Sequence, residues 1–237
     1  MVEKIVKRAV GRPKKDVIDS LSGVYWFKEL SRRSKKNAYH LEKEFSQDKF
    51  KKNIDGLVDR PCQWNKYESG RHLPSLGLQE KVETVYPGSS ILLNYPIWDL
   101  LKQRPPSDER LQVMMSNIKP NMTKYIGKPP KELGINVRIK RLNFFLNTPL
   151  EDILMNQNIM LRKFTGLLIL IVDAENKGDK YLFMSSVHSA ILIMPYILEV
   201  FFNSIRDDFY DAFKNRYLFN NEKFEPELST LRLKLNS

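Results

Sequence analysis

The fold is decided by residues 60–75, which read Arg-Pro-Cys-Gln-Trp-Asn-Lys-Tyr-Glu-Ser-Gly-Arg-His-Leu-Pro-Ser. A short helix is predicted over 61–69, because proline is favoured at the first helical position and Gly70 accepts the left-handed conformation that ends a helix. Trp64 and Tyr67 are three residues apart, so they share one face, which we predict to be buried. The side chains predicted to point elsewhere are Gln63, Asn65 and Lys66.

Apolar spacing predicts further helices on both sides of this stretch. Two helices precede it, at 22–33 and 36–46. A polar, lysine-rich connector at 47–59 then leads from the second of these helices to the stretch. A fourth helix is predicted from Ser75, its N-cap, to Tyr86, and its inward residues are predicted to be Leu76, Leu78, Val82 and Val85. Pro87-Gly88 is predicted to end it.

The C-terminal part of the chain is also predicted to be helical. One helix is expected over 153–172, and a polar, solvated break is expected over 173–179. One or two further helices are expected over 181–217, bent at Pro195. An alternation of apolar and polar residues over 135–140 indicates one short strand or hairpin, or an extended loop.

The residues after the short helix carry a family resemblance. The residues that carry it are Tyr67, Glu68, Gly70, Pro74 and Ser75. In that order, they match the aromatic or apolar residue, the Glu, the Gly and the Pro-Ser pair found in Cro/repressor-type (XRE-like) helix-turn-helix domains. The resemblance covers about 22–98, and the segment 86–98 is similar to bacterial proteins that carry such modules. It implies that helix 61–69 is a recognition helix for the DNA major groove. The connector before it is longer than the turn of that family.

The N-terminal arm carries a second resemblance. Residues 7–15 read Lys-Arg-Ala-Val-Gly-Arg-Pro-Lys-Lys, which resembles the AT-hook. That resemblance implies that the extended backbone at 11–13 enters a narrow A·T-rich minor groove and that Arg12 follows its negative potential. The alternative is a generic basic tail.

The charge distribution favours a polyanionic partner. The chain has 39 Lys and Arg against 28 Asp and Glu, a net charge of +11. Residues 1–36 and 102–150 each carry a net charge of +7, whereas 151–237 carry −2. Nucleic acid is the partner that such an excess most often indicates, although some soluble proteins are basic without binding it. With the two resemblances above, the expected partner is double-stranded DNA.

We assign predicted DNA contacts by residue type. Gln63 and Asn65 are predicted to contact base edges in the major groove, because their amides donate and accept together. Arg12 is predicted to contact bases in the minor groove. Phosphate contacts, which position a protein without reading sequence, are predicted for Lys14, Lys15, Lys51, Lys52, Lys66, Arg71 and His72. The alternative for each is an ordinary solvated surface.

Residue patterns for catalysis are absent from the sequence. The three histidines and the single cysteine are not spaced along the sequence as metal ligands are. The ten glycines do not cluster into a phosphate-binding loop. We therefore predict no enzyme activity, no cofactor and no metal site. His188 is predicted to be a structural residue of an apolar helix, and Cys62 a small packed residue, with redox sensing as its alternative. The apolar runs 166–172 and 190–202 are shorter than a bilayer span, so a cytoplasmic, nucleoid-associated protein without membrane contact is expected.

These observations predict a mainly α fold with four regions: a basic arm (1–17), a helix-turn-helix-like domain (18–98), a Pro-rich basic connector (99–149) and a helical packing or oligomerisation domain (150–237). A homodimer through the C-terminal helices is expected. The predicted function is sequence-selective binding of double-stranded DNA in transcriptional regulation. The alternative is a protein-interaction or effector module, as in mobile-element or antiphage systems, that docks on a protein or nucleoprotein partner.

Overall fold

The fold is mainly α, as predicted. A computed structural model of the protein describes residues 16–52, 58–118, 157–219, 221–225 and 228–229. The arm up to residue 15 and the strand or hairpin predicted near 135–140 lie outside these residues. The α-helices are α1 (Val17–Ser34), α2 (Ala38–Phe45), α3 (Gln63–Glu68), α4 (Leu76–Val85), α5 (Ser89–Leu93), α6 (Pro96–Leu101), α7 (Asp108–Ile118), α8 (Gln157–Lys177), α9 (Lys180–Val200) and α10 (Arg206–Lys214).

Side-chain caps set the start of the first two helices. The Asp16 carboxylate accepts a hydrogen bond from the Ile18 amide at 2.8 Å, so α1 begins five residues before the predicted position. It ends at Lys35, which has a φ of 56°. The Asn37 side chain accepts from the His40 amide at 3.1 Å and caps α2.

The connector between α2 and α3 contains secondary structure of its own. A 3-10 helix covers Gln47–Lys49, and β1 (Lys51–Lys52) pairs antiparallel with β2 (Val58–Asp59). Lys51 lies opposite Asp59 in this ladder. A small hairpin therefore stands where the helix-turn-helix resemblance implies a short turn.

Burial on α4 differs from the prediction. Val82 is fully buried, but Leu76 and Val85 are 76% and 51% exposed, so their predicted inward placement is wrong. Leu76 lies six residues before Val82 and therefore about 120° away around the helix. Val85 is the last residue of α4, and it borders an open surface cavity beside Phe45 of α2.

The predicted polar break at 173–179 is also wrong, because α8 continues to Lys177. Asp173 is buried and pairs with Lys177 one turn later, so two charged residues stabilise the helix instead of a solvated loop. The chain turns only at Gly178, which has a φ of 69°, and Asp179 caps α9 by accepting from the Leu182 amide at 3.1 Å.

Helix α9 is the most apolar helix of the C-terminal part. It continues through Pro195 to Val200. Among the helices of the described residues, α9 alone is long and apolar enough to cross a membrane, as judged by length and composition. Half of the 18-residue stretch that meets these criteria is buried inside the fold. His188 lies on this helix, as predicted, but its side chain is exposed.

One continuous core joins the N-terminal and C-terminal helices. The Tyr25 hydroxyl of α1 donates to the Phe201 carbonyl at 2.9 Å, and the Tyr217 hydroxyl donates to the Leu100 carbonyl at 2.6 Å. Burial raises the pKa of both phenols well above the usual range. The boundary expected after residue 98 falls inside α6, whose Trp98 contacts Tyr25 with ring centroids 5.6 Å apart.

Candidate nucleic-acid interface

Two aromatic residues attach α3 to the rest of the fold, which confirms their predicted burial. Trp64 is fully buried, and its ring stacks on Trp26 at 5.6 Å and on Phe45 at 5.7 Å between centroids. Tyr67 meets Trp26 edge-on at 5.9 Å. A six-residue helix is too short to be stable alone, so this aromatic packing fixes its position.

The start of α3 differs from the prediction. The helix begins at Gln63, two residues after Pro61, because Cys62 has a left-handed backbone with a φ of 49°. Cys62 is also exposed, so its predicted packing is wrong. The helix is capped from α2 instead: one Glu42 oxygen accepts from the Gln63 amide at 2.5 Å and from the Trp64 amide at 3.4 Å. A carboxylate there also offsets the positive end of the helix dipole.

Arg60 links this cap to the outer face of α3. Its Nε lies 3.1 Å from the second oxygen of the buried Glu42 carboxylate, and its Nη2 donates to Asn65 Oδ1 at 2.9 Å. The guanidinium also lies over the Tyr39 ring, 5.2 Å from its centroid. Sequence reasoning missed Arg60 and Glu42, because an 18-residue separation gives no periodic signal of their contact.

The turn after α3 packs closely on α1. Gly70 has a φ of 69°, which confirms the predicted left-handed end of the helix. A Cβ atom at Gly70 would lie 2.9 Å from both the Ser20 carbonyl oxygen and Val24 Cγ2. A Cβ at Gly23 of α1 would in turn lie 3.0 Å from Leu73 Cδ2. The turn and α1 can therefore pack this closely only because residue 70 has no side chain.

Gly70→Ala is expected to reduce the free energy of unfolding by about 2–4 kcal/mol, because it combines an unfavourable φ with a clash against backbone. Gly77 in α4 has no atom within 4 Å of an added Cβ, so Gly77→Ala is the matched control. It is expected to leave stability unchanged or to raise it by up to about 1 kcal/mol. Urea denaturation measures both, and equal effects would contradict the packing of this turn.

The structure brings five of the predicted contact residues together along 63–72. Asn65, Arg71 and His72 are exposed, whereas Gln63 and Lys66 are half-buried. Burial raises the pKa of Tyr67, and a hydrogen bond from the Gln63 side chain opposes that shift. The backbones of Lys51 and Lys52 form β1, but their side chains lie outside what the structure describes. Arg12, Lys14 and Lys15 also lie outside the described residues.

A cationic cavity that was not assigned from sequence adjoins the C-terminal end of α3. Its volume is about 550 Å³, and Glu68 of α3 forms part of its wall. Its basic residues are Lys28, Arg32, Lys35 and Lys36. The sequence signal was the basic run at 32–36, which α1 and the turn after it place beside α3.

Three of these cations have partners. Lys28 Nζ donates to the Ser204 carbonyl at 2.7 Å, and Arg32 pairs with Glu29 at 2.8 Å. Lys36 pairs with Glu44 at 2.9 Å. Lys35 is an exposed residue of this cavity.

Comparisons with known proteins gave no match: none was found among protein-family models, curated proteins or solved structures. Within the described ranges, no group of three or more His, Cys, Asp and Glu side chains is placed to hold a metal ion. The site is thus defined by its own geometry: a short anchored helix with an exposed Asn65 and with cations near its C-terminal end.

Proposed function

We propose that this protein is a non-catalytic, sequence-selective binder of double-stranded DNA that acts in transcriptional regulation and has an XRE-like helix-turn-helix as its reading module. In this proposal α3 enters the major groove. The observation that carries it is the division of α3 into two faces. Trp64 and Tyr67 fix one face in the core, Asn65 is exposed on the other face, and the half-buried Gln63 and Lys66 lie at the borders between the two.

Cations beside α3 support the proposal. Arg71 lies three residues after the end of α3 and is exposed, and Lys35 lines the cavity that Glu68 also borders. Positive groups near the end of an inserted helix can reach the phosphates that flank a groove. The proposed minor-groove contact by Arg12, with Lys14 and Lys15 on phosphates, would extend the interface along the duplex.

The Arg60–Asn65 hydrogen bond is compatible with base reading. An amide oxygen has two acceptor sites, so Asn65 Oδ1 can keep its bond from Arg60 and accept another from a base. Its Nδ2 remains a donor, and the pair of groups matches the N6 and N7 edge of adenine. Arg60 would then hold the Asn65 amide in place before DNA arrives, which reduces the ordering cost of binding.

The test is the salt dependence of binding to random duplex DNA. Each phosphate contact contributes about 0.9 to the slope of log affinity against log salt. Lys35→Ala with Arg71→Ala is therefore expected to lower the slope by about 1.8. Arg162→Ala removes an exposed cation from α8 and is the matched control, expected to leave the slope unchanged. No retention of the wild-type protein on DNA at low salt would refute the proposal.

Base reading is tested in the same assay after a preferred site has been selected. Gln63→Ala with Asn65→Ala is expected to lower discrimination between that site and random DNA, because each bidentate pair contributes about 1–3 kcal/mol. Non-specific affinity should stay close to that of the wild type. Unchanged discrimination would restrict the role of α3 to backbone contact.

A second candidate function is docking on a protein partner. The observation in its favour is that Leu73, Leu76 and Val85, on and before α4, are exposed apolar side chains. Exposed apolar side chains are common on soluble proteins and become informative only when they form a patch. Partner binding that persists at high salt and is lost in Leu76→Glu would favour this function over DNA binding.

A further inference from the structure

A cavity between α1 and α10 is lined mainly by apolar side chains. Its volume is about 630 Å³, which is within the range of pockets that bind ligands. One side of α1 and one side of α10 form its walls, because the residues that line it recur at helical spacing along both helices. The buried side chains of Ile18, Leu21 and Leu101 form its apolar floor. Val17, which also lines it, is 77% exposed although it is apolar.

The charged groups of this cavity have one sign. Asp16, Asp208 and Asp211 line it, and no Lys or Arg is among the residues of its wall that the structure describes. Asp211 pairs with Lys214 at 2.8 Å, which offsets one of the three charges. Asp16 accepts from a backbone amide, and neither Asp16 nor Asp208 has an ion pair with any described residue. The cavity therefore attracts cations and repels DNA, although the whole chain has a net charge of +11.

The N-terminal arm has the matching chemistry. Residues 1–15 lead directly into Asp16 in the cavity wall, and they carry six Lys and Arg against one Glu, a net charge of +5. Within them, residues 4–10 read Lys-Ile-Val-Lys-Arg-Ala-Val, so apolar side chains stand next to cations. This combination suits an apolar floor with carboxylates beside it.

The attachment point favours the arm over the other basic segment outside the described residues. That segment, 119–156, follows α7 and precedes α8, and neither helix contributes to the cavity wall as far as the structure describes it. The arm is joined to the wall itself, which gives it a high effective concentration at the cavity, so weak contacts suffice to hold it there.

The chain between the arm and α1 is long enough for this contact. An extended backbone covers about 3.3–3.6 Å per residue, so the steps from Val10 to Asp16 span up to about 20 Å. The α1 wall from Asp16 to Val24 is about 12 Å long, since each helical residue advances about 1.5 Å. Residues 4–10 can therefore fold back to any part of that wall.

We infer that residues 4–10 bind in the cavity between α1 and α10 of the same chain. The apolar side chains of the segment pack on the floor, and its cations pair with the carboxylates, above all with Asp208. Apolar burial and charge-assisted hydrogen bonds then act together. Residues 11–13 lie outside the docked segment, so this contact and the proposed minor-groove contact of Arg12 can each fail without the other.

Paramagnetic relaxation in the full chain tests the contact. A nitroxide is attached at Ala9→Cys in a Cys62→Ser background, because Cys62 is the one cysteine of the sequence. The amide signals of Val24 and Ala212, on the two walls of the cavity, are expected to broaden. Sharp signals from both amides in the labelled protein would overturn the inference.

Two charge reversals on α10 form a matched pair. Asp207 and Asp208 are both exposed in the first turn of that helix, so replacing either one removes a similar interaction with the helix dipole. Of the two, Asp208 lines the cavity. Asp208→Lys is expected to lower the ratio of docked to undocked arm about fivefold or more, because an attraction becomes a repulsion. Asp207→Lys should leave the broadening close to that of the parent, and equal effects of the two variants would contradict the docking.

The apolar part of the contact has its own variant. Ile5→Ser with Val6→Ser keeps every charge of the arm and is expected to reduce the broadening at Ala212, because it removes the side chains that pack on the floor. Val2→Ser, outside the docked segment, is the control. Undiminished broadening in the double variant would show that the segment does not pack in the cavity.

Two further results would assign the cavity to another occupant and overturn the inference. Broadening of an isotope-labelled, unmodified chain by an unlabelled chain that carries the nitroxide would mean that the arm of a second copy fills it. Stronger broadening of Val24 and Ala212 by a nitroxide at Thr123→Cys than at Ala9→Cys would mean that residues 119–156 fill it. Neither is expected, because residue 15 is joined directly to the cavity wall.

Discussion

Trp64→Ala is expected to lower the free energy of unfolding by about 3–5 kcal/mol, the range for removing a large aromatic side chain from a packed core. Trp64 has no exposed surface, and it stacks between Trp26 and Phe45. Its indole N–H donates to the Ser46 hydroxyl at 3.4 Å, so truncation also leaves that hydroxyl without its donor. Denaturation in urea measures the change.

The neighbouring residue provides the control for this prediction. Asn65 is exposed on the same helix, and Asn65→Ala is expected to change stability by no more than about 0.5 kcal/mol. Amide hydrogen exchange adds a local readout, because loss of the Trp64 anchor should expose the α3 amides before the rest of the protein opens. A loss below about 1 kcal/mol in Trp64→Ala would show that α3 is not held by this packing.

Arg216→Met is expected to reduce stability by about 3–5 kcal/mol, because it leaves a partly buried carboxylate without its counter-ion. The Arg216 side chain is 3% exposed. Its Nη1 donates to one oxygen of Glu175 at 3.0 Å and its Nη2 pairs with the other. Its Nε donates to the Lys102 carbonyl at 2.8 Å. Burial lowers the pKa of the guanidinium, but its hydrogen bonds to Glu175 and the charge interactions with Tyr217 and Glu175 together outweigh burial and raise the pKa.

A double variant separates the ion pair from general damage to the fold. Arg216→Met with Glu175→Met removes both charges, and it should recover a large part of the stability lost in the single variant. The control is Lys214, two residues before Arg216, whose surface ion pair is with Asp211. Lys214→Ala breaks that pair, and a loss of about 0.5 kcal/mol or less is expected. Strictly additive effects at positions 216 and 175 would mean that the two side chains do not interact.

Local patterns predicted the anchored side of the candidate site. The three-residue spacing of Trp64 and Tyr67 placed both in the core, and the glycine at position 70 marked the end of α3. These features depend on one turn of backbone, so the sequence contains them. The base-contact and phosphate-contact roles remain predictions, since residue type alone suggests them.

Features that depend on tertiary contacts were not predictable in the same way. Glu42 caps a helix that starts 21 residues later, and Arg60 joins that carboxylate to the outer face of α3. The polar run at 173–179 has the composition of a loop, but Asp173 forms an ion pair with Lys177 within α8. Exposure of Leu76 follows from which side of α4 its neighbours cover, and periodicity alone does not specify that side.

Helix α1 belongs to both halves of the molecule. Trp26 contacts the aromatic residues of α3, while Tyr25 and Lys28 donate to the backbone carbonyls of Phe201 and Ser204. A fragment that ended before α8 would expose Tyr25 and Trp98 and leave the Lys28 ammonium without its acceptor. Activity lost in such a truncation would report misfolding as readily as a missing function. Functional regions of this protein are therefore better separated by point substitutions in the full chain than by deletion.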